Sequence, residues 1–238
     1  MIGAALIALA ALAYSTVGHA GASGYLAVMA LLGTPAATMW PTALLLNLVV
    51  ATIGTIQFAR AGHFRWSLFW PFAITSVPAA FLGGRLTLPE SAYGVIVGSV
   101  LLLSALRLVT MRAAAEATPR APRLGVALFT GAVLGLLSGL TGVGGGIFLS
   151  PLLLLCGWAD MRTTAATSVA FILVNSTAGL LGQLPIGNVL PAALPLWVAA
   201  VVVGGSVGAT LGSRRLPTRA LRIVLAAVLV VAGAKMLW

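Results

Sequence analysis

The feature that most constrains this fold is a cluster of five glycines within the eight residues from Gly139 to Gly146, inside a long apolar stretch. Each glycine costs a helix interior roughly 1 kcal/mol relative to alanine, so the cluster predicts a break in a helix. Hydrocarbon tolerates an interrupted backbone only where protein covers it or where it lines a watery cavity. Helices interrupted within the membrane form substrate sites in many secondary transporters. The cluster therefore favours a transporter.

Composition indicates a membrane protein with several spans. Of the 238 residues, 61% are hydrophobic and 7% are charged, which leaves too little polar surface to cover a soluble domain. The net charge of +10 comes from 13 Lys and Arg residues that lie almost entirely between the apolar stretches. Loop charges of this kind set orientation in a bilayer. We therefore expect the chain to lie in the lipid bilayer, and we expect no binding of nucleic acid.

The apolar segments predict an all-α polytopic membrane protein. Stretches long enough to cross about 30 Å of hydrocarbon number eight. They are 2–32, 36–59, 66–84, 91–109, 125–156, 163–183, 189–211 and 219–237. The first and fifth segments are too long for one straight crossing, and both contain glycine-rich interruptions.

The two halves of the chain resemble each other, which predicts a duplication. Gly18, Gly21 and Gly33 match Gly142, Gly145 and Gly157 at one constant offset. At a slightly larger offset, Asn47, Gly84, Leu88, Pro89 and Arg107 match Asn175, Gly212, Leu216, Pro217 and Lys235. We predict a first membrane repeat over 1–111, a connecting loop over 112–123, and a second repeat over 124–238.

Loop charge distinguishes two topologies. If all eight segments cross, seven basic residues lie on one side and six on the other. If segments 2–32 and 125–156 instead enter the membrane and return to the same side, eleven basic residues lie on one side of the membrane. Only Arg85 and Lys235 then lie on the other side. The positive-inside bias favours the second arrangement, with re-entrant first and fifth segments and inverted repeats in the cytoplasmic membrane. Half-helices of about 14 residues rise roughly 21 Å, which places both glycine tips near mid-depth.

Three motifs in the second half resemble a known family. They are Ser150-Pro151-Leu152-Leu153-Leu154-Leu155 after the glycine cluster, then Arg162-Thr163-Thr164-Ala165-Ala166-Thr167-Ser168, and Asn175-Ser176-Thr177-Ala178-Gly179. This pattern is similar to that of the sulfite exporter TauE/SafE family. The resemblance implies a duplicated membrane transporter for sulfite or small organosulfonates, with export as the direction. The first half departs from the family pattern at Gly18–Gly24 and has Ala27 in place of proline. This departure leaves the identity of the transported anion undetermined.

The chain offers neutral donors for a small oxyanion. No Lys or Arg falls within a predicted membrane-depth segment, so backbone N–H groups at the glycine breaks and helix N-termini are the available donors. Hydroxyls and amides at similar depth complete a predicted substrate site. Its members are Gly144, Gly145, Gly146, Thr141, Ser138, Asn175, Thr167, Ser168, Asn47, Thr42, His19, Gly21, Ser23 and Gly24. For any single hydroxyl, a bond to the carbonyl one turn back is the competing interpretation.

His19 lies inside the first glycine-rich interruption, where it either titrates near neutral pH and donates to an anion or is a neutral structural residue. Glu90, Glu116 and Asp160 fall in predicted loops or segment ends, so no carboxylate relay is expected at depth. We expect no cofactor. Proton coupling, sodium coupling and passive flux all stay open.

Other classes fit less well. An intramembrane enzyme needs a nucleophile, a base or a metal cluster at depth, and two His and one Cys supply no metal-ligand spacing. We therefore predict no enzyme, no catalytic residues and no metal site. An anion channel, or a transporter of another small organic anion, is the alternative. Faces rich in small residues permit a homodimer.

Overall fold

Nine α-helices with defined bounds form the part of the chain that the computed structural model describes, residues 1–86, 102, 105–106, 119–183 and 190–237, and this part contains no β-strand. They are α1 (Ile2–Thr16), α2 (Ala22–Leu31), α3 (Ala36–Arg60), α4 (Trp66–Gly84), α5 (Leu124–Thr141), α6 (Gly146–Leu155), α7 (Met161–Gln183), α8 (Leu194–Thr210) and α9 (Thr218–Leu237). A π-helical turn, Leu211–Arg215, extends α8. The all-α prediction is confirmed for these residues.

Five of these helices are long and apolar enough to cross a bilayer: α3, α4, α5, α7 and α8 with its π-helical turn. The shorter apolar helices are α1, α2 and α6. The chain is therefore a multi-pass membrane protein. The predicted segment 91–109 lies almost entirely outside the described residues, so the count of eight segments stays a prediction.

The first and fifth segments break at the predicted glycines. Between α1 and α2, Gly18 and Gly21 have φ values of 74° and 100°. Between α5 and α6, Gly142, Gly144 and Gly145 have φ values of 67°, 83° and 74°. Glycine adopts positive φ without the steric penalty of a Cβ atom, so these residues end one helix and permit the next to start in a new direction.

Both interrupted segments fold back on themselves. The amide N–H of Arg120, before α5, donates to the carbonyl of Gly157, after α6, at 3.1 Å. Gly3, at the start of α1, packs against the side chain of Leu32, just after α2. Each segment is therefore a helical hairpin whose two chain ends lie together. We call residues 17–21 the first tip and residues 142–145 the second tip.

Glycine stripes hold each hairpin against a helix of the other half of the chain. Three glycines of α8 and its π-helical turn lie directly against the α1 backbone: Gly204 on Ala8, Gly208 on Leu12 and Gly212 on Thr16. Three glycines of α5 lie in the same way against α4: Gly131 on Phe72, Gly135 on Ser76 and Gly139 on Ala80. Residue numbers rise together in both pairs, so the paired helices run parallel. Such contacts exclude any side chain and bring helix backbones together as in other membrane proteins.

The same register sets the direction of the remaining helices. On α3, the Gln57 Nε2 donates to the Ser206 carbonyl at 3.3 Å, and further along the chain His63 Nε2 lies 3.0 Å from the Ser213 carbonyl. Thus α3 runs parallel to α8. The short loop 61–65 makes α4 antiparallel to α3, and Arg162 at the start of α7 donates to the Leu216 carbonyl at 3.2 Å. The ends of α3 and α8 therefore share one end of the molecule with the starts of α4, α5 and α7.

That end carries most of the described basic residues, and we call it the basic face. It holds Arg60, Arg65, Arg120, Arg123, Arg162, Arg214, Arg215, Arg219 and Arg222, whereas Arg85 follows α4 at the opposite end. Asp160 caps α7 there: its carboxylate accepts the amide N–H groups of Arg162 and Thr163 and the Thr163 hydroxyl. Burial raises the pKa of Asp160, but these hydrogen bonds and the nearby Arg65 outweigh it and hold that pKa below its usual value.

Candidate functional site

Both glycine tips lie against α7, which they approach from opposite ends of the molecule. Gly18 of the first tip lies directly on the backbone of Ala165. Gly144 of the second tip lies against the side chains of Ile172 and Ser176. Because a helix rises 1.5 Å per residue, Ala165 is about 6 Å from the start of α7, and Ile172 and Ser176 are about 17–22 Å from it.

The second tip therefore lies near the middle of α7, but the first tip does not. The expectation of mid-depth is wrong for the first tip, which lies closer to the basic face. The reason is the packing of α1 along α8, which continues to Thr16 and Gly212, close to the end of the π-helical turn. The two hairpins, which enter from opposite ends, consequently overlap along α7.

Polar side chains from three helices surround the second tip. On α3, the Asn47 Nδ2 lies 3.5 Å from the Val143 carbonyl, to which it donates. A Cβ atom on Gly144 would lie 2.9 Å from the Ser176 hydroxyl of α7. A Cβ atom on Gly145 would lie 3.1 Å from the Cβ of Ser138, on α5. The peptides of 143–145 are thus enclosed by one amide and two hydroxyl side chains.

Four of the buried polar atoms near this tip have no hydrogen-bond partner among the described residues. They are Asn47 Oδ1, Asn175 Oδ1, Ser138 Oγ and Ser176 Oγ, on side chains that are 0–1% exposed. Asn175 places its Nδ2 2.9 Å from the Phe171 carbonyl, and the Phe171 ring packs on Gly145. An unpaired buried polar group costs about 1–3 kcal/mol, so four together indicate a place for a ligand or water.

The start of α6 is buried and uncapped. Among the described residues, no side chain caps this helix, and the N–H groups of Gly144, Gly145, Gly146 and Ile147 donate no backbone hydrogen bond. The first N–H groups of a helix carry about half a positive charge and point outward along the axis. Consecutive N–H groups that follow positive-φ residues form a concave anion-binding nest. The second tip therefore offers the donor arrangement that small oxyanions bind.

No full positive charge accompanies these donors. Among the described residues, no Asp, Glu, Lys or Arg is fully buried. The groups that the second tip offers to a ligand are therefore N–H and O–H dipoles without a full positive charge. Every one of its polar side chains is shielded from solvent, so the arrangement corresponds to a closed site.

The first tip places His19 beside two hydroxyl groups. Its Nδ1 lies 3.2 Å from the Val17 carbonyl, and its Nε2 lies 3.4 Å from the Ser150 hydroxyl of α6. Ser150 in turn is 2.7 Å from the hydroxyl of Ser168 on α7. This hydrogen-bonded chain connects the first tip to α6 and α7.

Other predicted residues in the first tip and at the start of α2 have local roles. Gly21 starts α2 and packs on the ring of Tyr25, whose hydroxyl donates to the Ala20 carbonyl. The Ser23 hydroxyl forms a hydrogen bond with the Tyr14 hydroxyl at 2.9 Å. Gly24 packs on α1 at Ala10 and Tyr14. These contacts close the α1–α2 hairpin.

Three predicted threonines bond to their own helices, as the competing interpretation allows. The hydroxyls of Thr42, Thr141 and Thr167 donate to the carbonyls of Thr38, Leu137 and Thr163. Thr141 also accepts the N–H of Val143 at 3.4 Å, which fixes the turn into the second tip. The structure brings Ser138, Asn47, Asn175 and Gly144–Gly146 together around the second tip, and His19 with Ser168 around the first.

Sequence reasoning missed two serines of this region. Ser150 connects His19 to Ser168, and Ser176 faces Gly144. Both lie in motifs quoted above. Ser150 is four residues after the selected Gly146, and Ser176 directly follows the selected Asn175. The helical spacing of Ser168, Ile172 and Ser176, one turn apart on α7, was the available signal.

Comparison with known proteins agrees with this architecture. A model of the family "Sulfite exporter TauE/SafE" matches residues 3–236. The chain belongs to that family. It is also 47% identical over 232 residues to the "Probable membrane transporter protein y4hK" of Sinorhizobium fredii, with 96% of this chain and 94% of the relative covered. No solved structure matches the chain. The resemblance read from the motifs is thus confirmed, and the chain is a membrane transporter of the TauE/SafE type.

Proposed function

We propose that this transporter moves small sulfur-containing oxyanions, sulfite or organosulfonates, across the cytoplasmic membrane. The observation that carries the proposal is the buried, uncapped start of α6 beside the unpartnered hydroxyls of Ser138 and Ser176. A pyramidal or tetrahedral oxyanion accepts hydrogen bonds from several N–H and O–H donors at once. These donors are buried away from bulk water, so they are costly to leave unpaired. Export is the direction that the family's description supports, and proton coupling, sodium coupling and passive flux all stay open.

The proposed topology makes the two hairpins re-entrant and the two halves inverted repeats, with the basic face in the cytoplasm. It is supported by the meeting of the hairpin ends at Gly3 and Leu32, and at Arg120 and Gly157. The excess of arginine on the basic face agrees with the positive-inside bias.

Labelling of cysteines in intact cells tests this topology. The exposed Cys156 follows α6 at the basic face, so an impermeant thiol reagent should reach it only from the cytoplasm. In a Cys156→Ser background, Gly33→Cys should react from outside. Labelling of position 33 from the cytoplasm alone contradicts the re-entrant first hairpin.

Alternating access is the proposed mechanism. The first hairpin is packed on α8 and the second on α4, so each hairpin is attached to a helix of the other repeat. Relative motion of these two units opens the second tip to one side or the other. The complete burial of the polar side chains at the second tip favours a carrier that closes over its substrate rather than an open anion channel.

Anion flux into proteoliposomes tests the function. We expect saturable flux of sulfite or a sulfonate above that of chloride, with Ser176→Ala reducing apparent affinity about tenfold or more, since a hydrogen bond to an anion contributes about 1.5–3 kcal/mol. The matched control is Thr177→Val, because the Thr177 hydroxyl is exposed and bonds to its own helix. Flux that never saturates supports a channel. Flux no greater than that of chloride contradicts the substrate class.

A further inference from the structure

The orientation of the two buried asparagine amides indicates a property that the substrate needs in addition to its negative charge. Asn47 directs its Nδ2 at the Val143 carbonyl, and Asn175 directs its Nδ2 at the Phe171 carbonyl. A carbonyl accepts and never donates, so each amide is fixed with Nδ2 toward the backbone. Its Oδ1 must then point elsewhere.

Both Oδ1 atoms are acceptors without a donor. Asn47 and Asn175 are each 0% exposed, and neither Oδ1 has a partner among the described residues. An oxyanion with oxygen atoms alone would place negative charge near these oxygens and leave them unpaired. The site therefore needs donors from its ligand as well as acceptors for the α6 N–H groups.

We propose that the preferred substrate is an oxyanion that also carries a hydrogen-bond donor, an O–H or N–H group within a few bonds of the sulfur. This inference rests on the proposed function and narrows its substrate class. The oxygens of the sulfur group contact the N–H groups of the second tip, and the donor contacts Oδ1 of Asn47 or Asn175. Hydrogensulfite and short hydroxy- or aminosulfonates have this chemistry, whereas simple alkanesulfonates lack it.

The two asparagines lie where one small ligand can reach both. Asn47 contacts Val143, and the adjacent Gly144 faces Ser176, which follows Asn175 on α7. Asn175 also lies one turn beyond Phe171, whose ring packs on Gly145. Both amides therefore border the same three residues of the second tip.

Three ligands of similar size test the proposal: ethanesulfonate, 2-hydroxyethanesulfonate and 2-aminoethanesulfonate. Their sulfonate groups stay ionised across the tested pH range. The comparison of ethanesulfonate with 2-hydroxyethanesulfonate reports on a neutral donor, whereas 2-aminoethanesulfonate adds a positive charge together with its donors. Binding to the purified full-length protein in detergent is measured by calorimetry. We expect the hydroxy compound to bind about tenfold more tightly than ethanesulfonate, because it satisfies an otherwise unpaired buried acceptor. The amino compound should gain less, because its ammonium group must also be desolvated.

Variants then locate the effect. At least one of the variants Asn47→Leu and Asn175→Leu should reduce the preference to about twofold, whereas Thr52→Val and Thr177→Val should preserve it. Thr52 and Thr177 are exposed residues of α3 and α7 whose hydroxyls bond to their own helices.

Equal binding of the three sulfonates by the unmodified protein overturns the inference, and this result needs no variant to fold. It would indicate that water alone pairs the asparagine oxygens, while the proposed anion transport stands. A preference that persists in both leucine variants also overturns the inference. Absence of binding by all three compounds and by sulfite removes the proposed function along with it.

Discussion

The conformation and surroundings of Gly144 predict how strongly the second tip resists substitution. Its φ of 83° costs an alanine about 1–2 kcal/mol. A Cβ atom there would also lie 2.7 Å from the Ile172 Cγ2 and 2.9 Å from the Ser176 Oγ. Relief of such overpacking typically costs about 1–3 kcal/mol. We therefore expect Gly144→Ala to lower the free energy of unfolding by about 2–5 kcal/mol and to abolish anion flux.

Gly157→Ala is the matched control. Its φ of 65° is similar, but no atom lies within 4 Å of the added Cβ, so only the conformational cost of about 1–2 kcal/mol applies. In thermal unfolding in detergent, each kcal/mol shifts the Tm of a chain of this size by about 2–4 °C. The Tm of Gly144→Ala should lie about 2–12 °C below that of Gly157→Ala, which keeps its flux. Equal Tm values and equal flux would refute the close packing of the second tip on α7.

Three further substitutions and one control, Gly125→Ala, test the fold and the basic face. Gly208→Ala should lower Tm because its Cβ would collide with the α1 backbone, whereas Gly125→Ala, with nothing within 4 Å, should leave Tm unchanged or slightly raised. Tyr25→Phe leaves the buried Ala20 carbonyl without its donor, so it should lower the free energy of unfolding by about 1–3 kcal/mol in chemical denaturation. Asp160 has a lowered pKa in the folded state, so its carboxylate stabilises the protein above the unfolded pKa of about 3.9, and that stability is lost as pH falls through the folded pKa. Asp160→Asn should therefore lower Tm at neutral pH and make no difference in strong acid, and an equal decrease at both pH values would contradict this linkage.

The fold was predictable where a local rule suffices. Five glycines in eight residues cannot continue a helix, and the break between Thr141 and Gly146 follows from that alone. Arginine placement favoured re-entrant segments because orientation in a bilayer follows loop charge, and the contact of Arg120 with Gly157 agrees with it.

The depth of the first tip was not predictable, because it depends on contacts between distant parts of the chain. Half-helix length alone suggested mid-depth, but α1 follows the glycine stripe of α8 as far as Gly212. The role of Gly204 and Gly208 in that stripe appears only when their partners, Ala8 and Leu12, are known.

The site was predictable in its chemistry and less so in its membership. Asn47 and Asn175 were selected because a buried amide needs partners. The orientation of their Oδ1 atoms depends on the carbonyls of Val143 and Phe171, which no sequence pattern reveals. Ser176 was missed because its proximity to Gly144 depends on the packing of the second tip against α7, which no local pattern reveals.

The position of a bound anion tests most directly whether the second tip is the substrate site. Selenite has the shape and charge of sulfite, and its selenium atom is located by anomalous scattering in crystals of the purified protein. If the second tip binds the anion, crystals should show a single selenium peak there, with oxygens about 3 Å from the N–H groups of Gly144–Gly146 and from the hydroxyls of Ser138 and Ser176. Selenium found only among the arginines of the basic face, with the second tip filled by water, would contradict it.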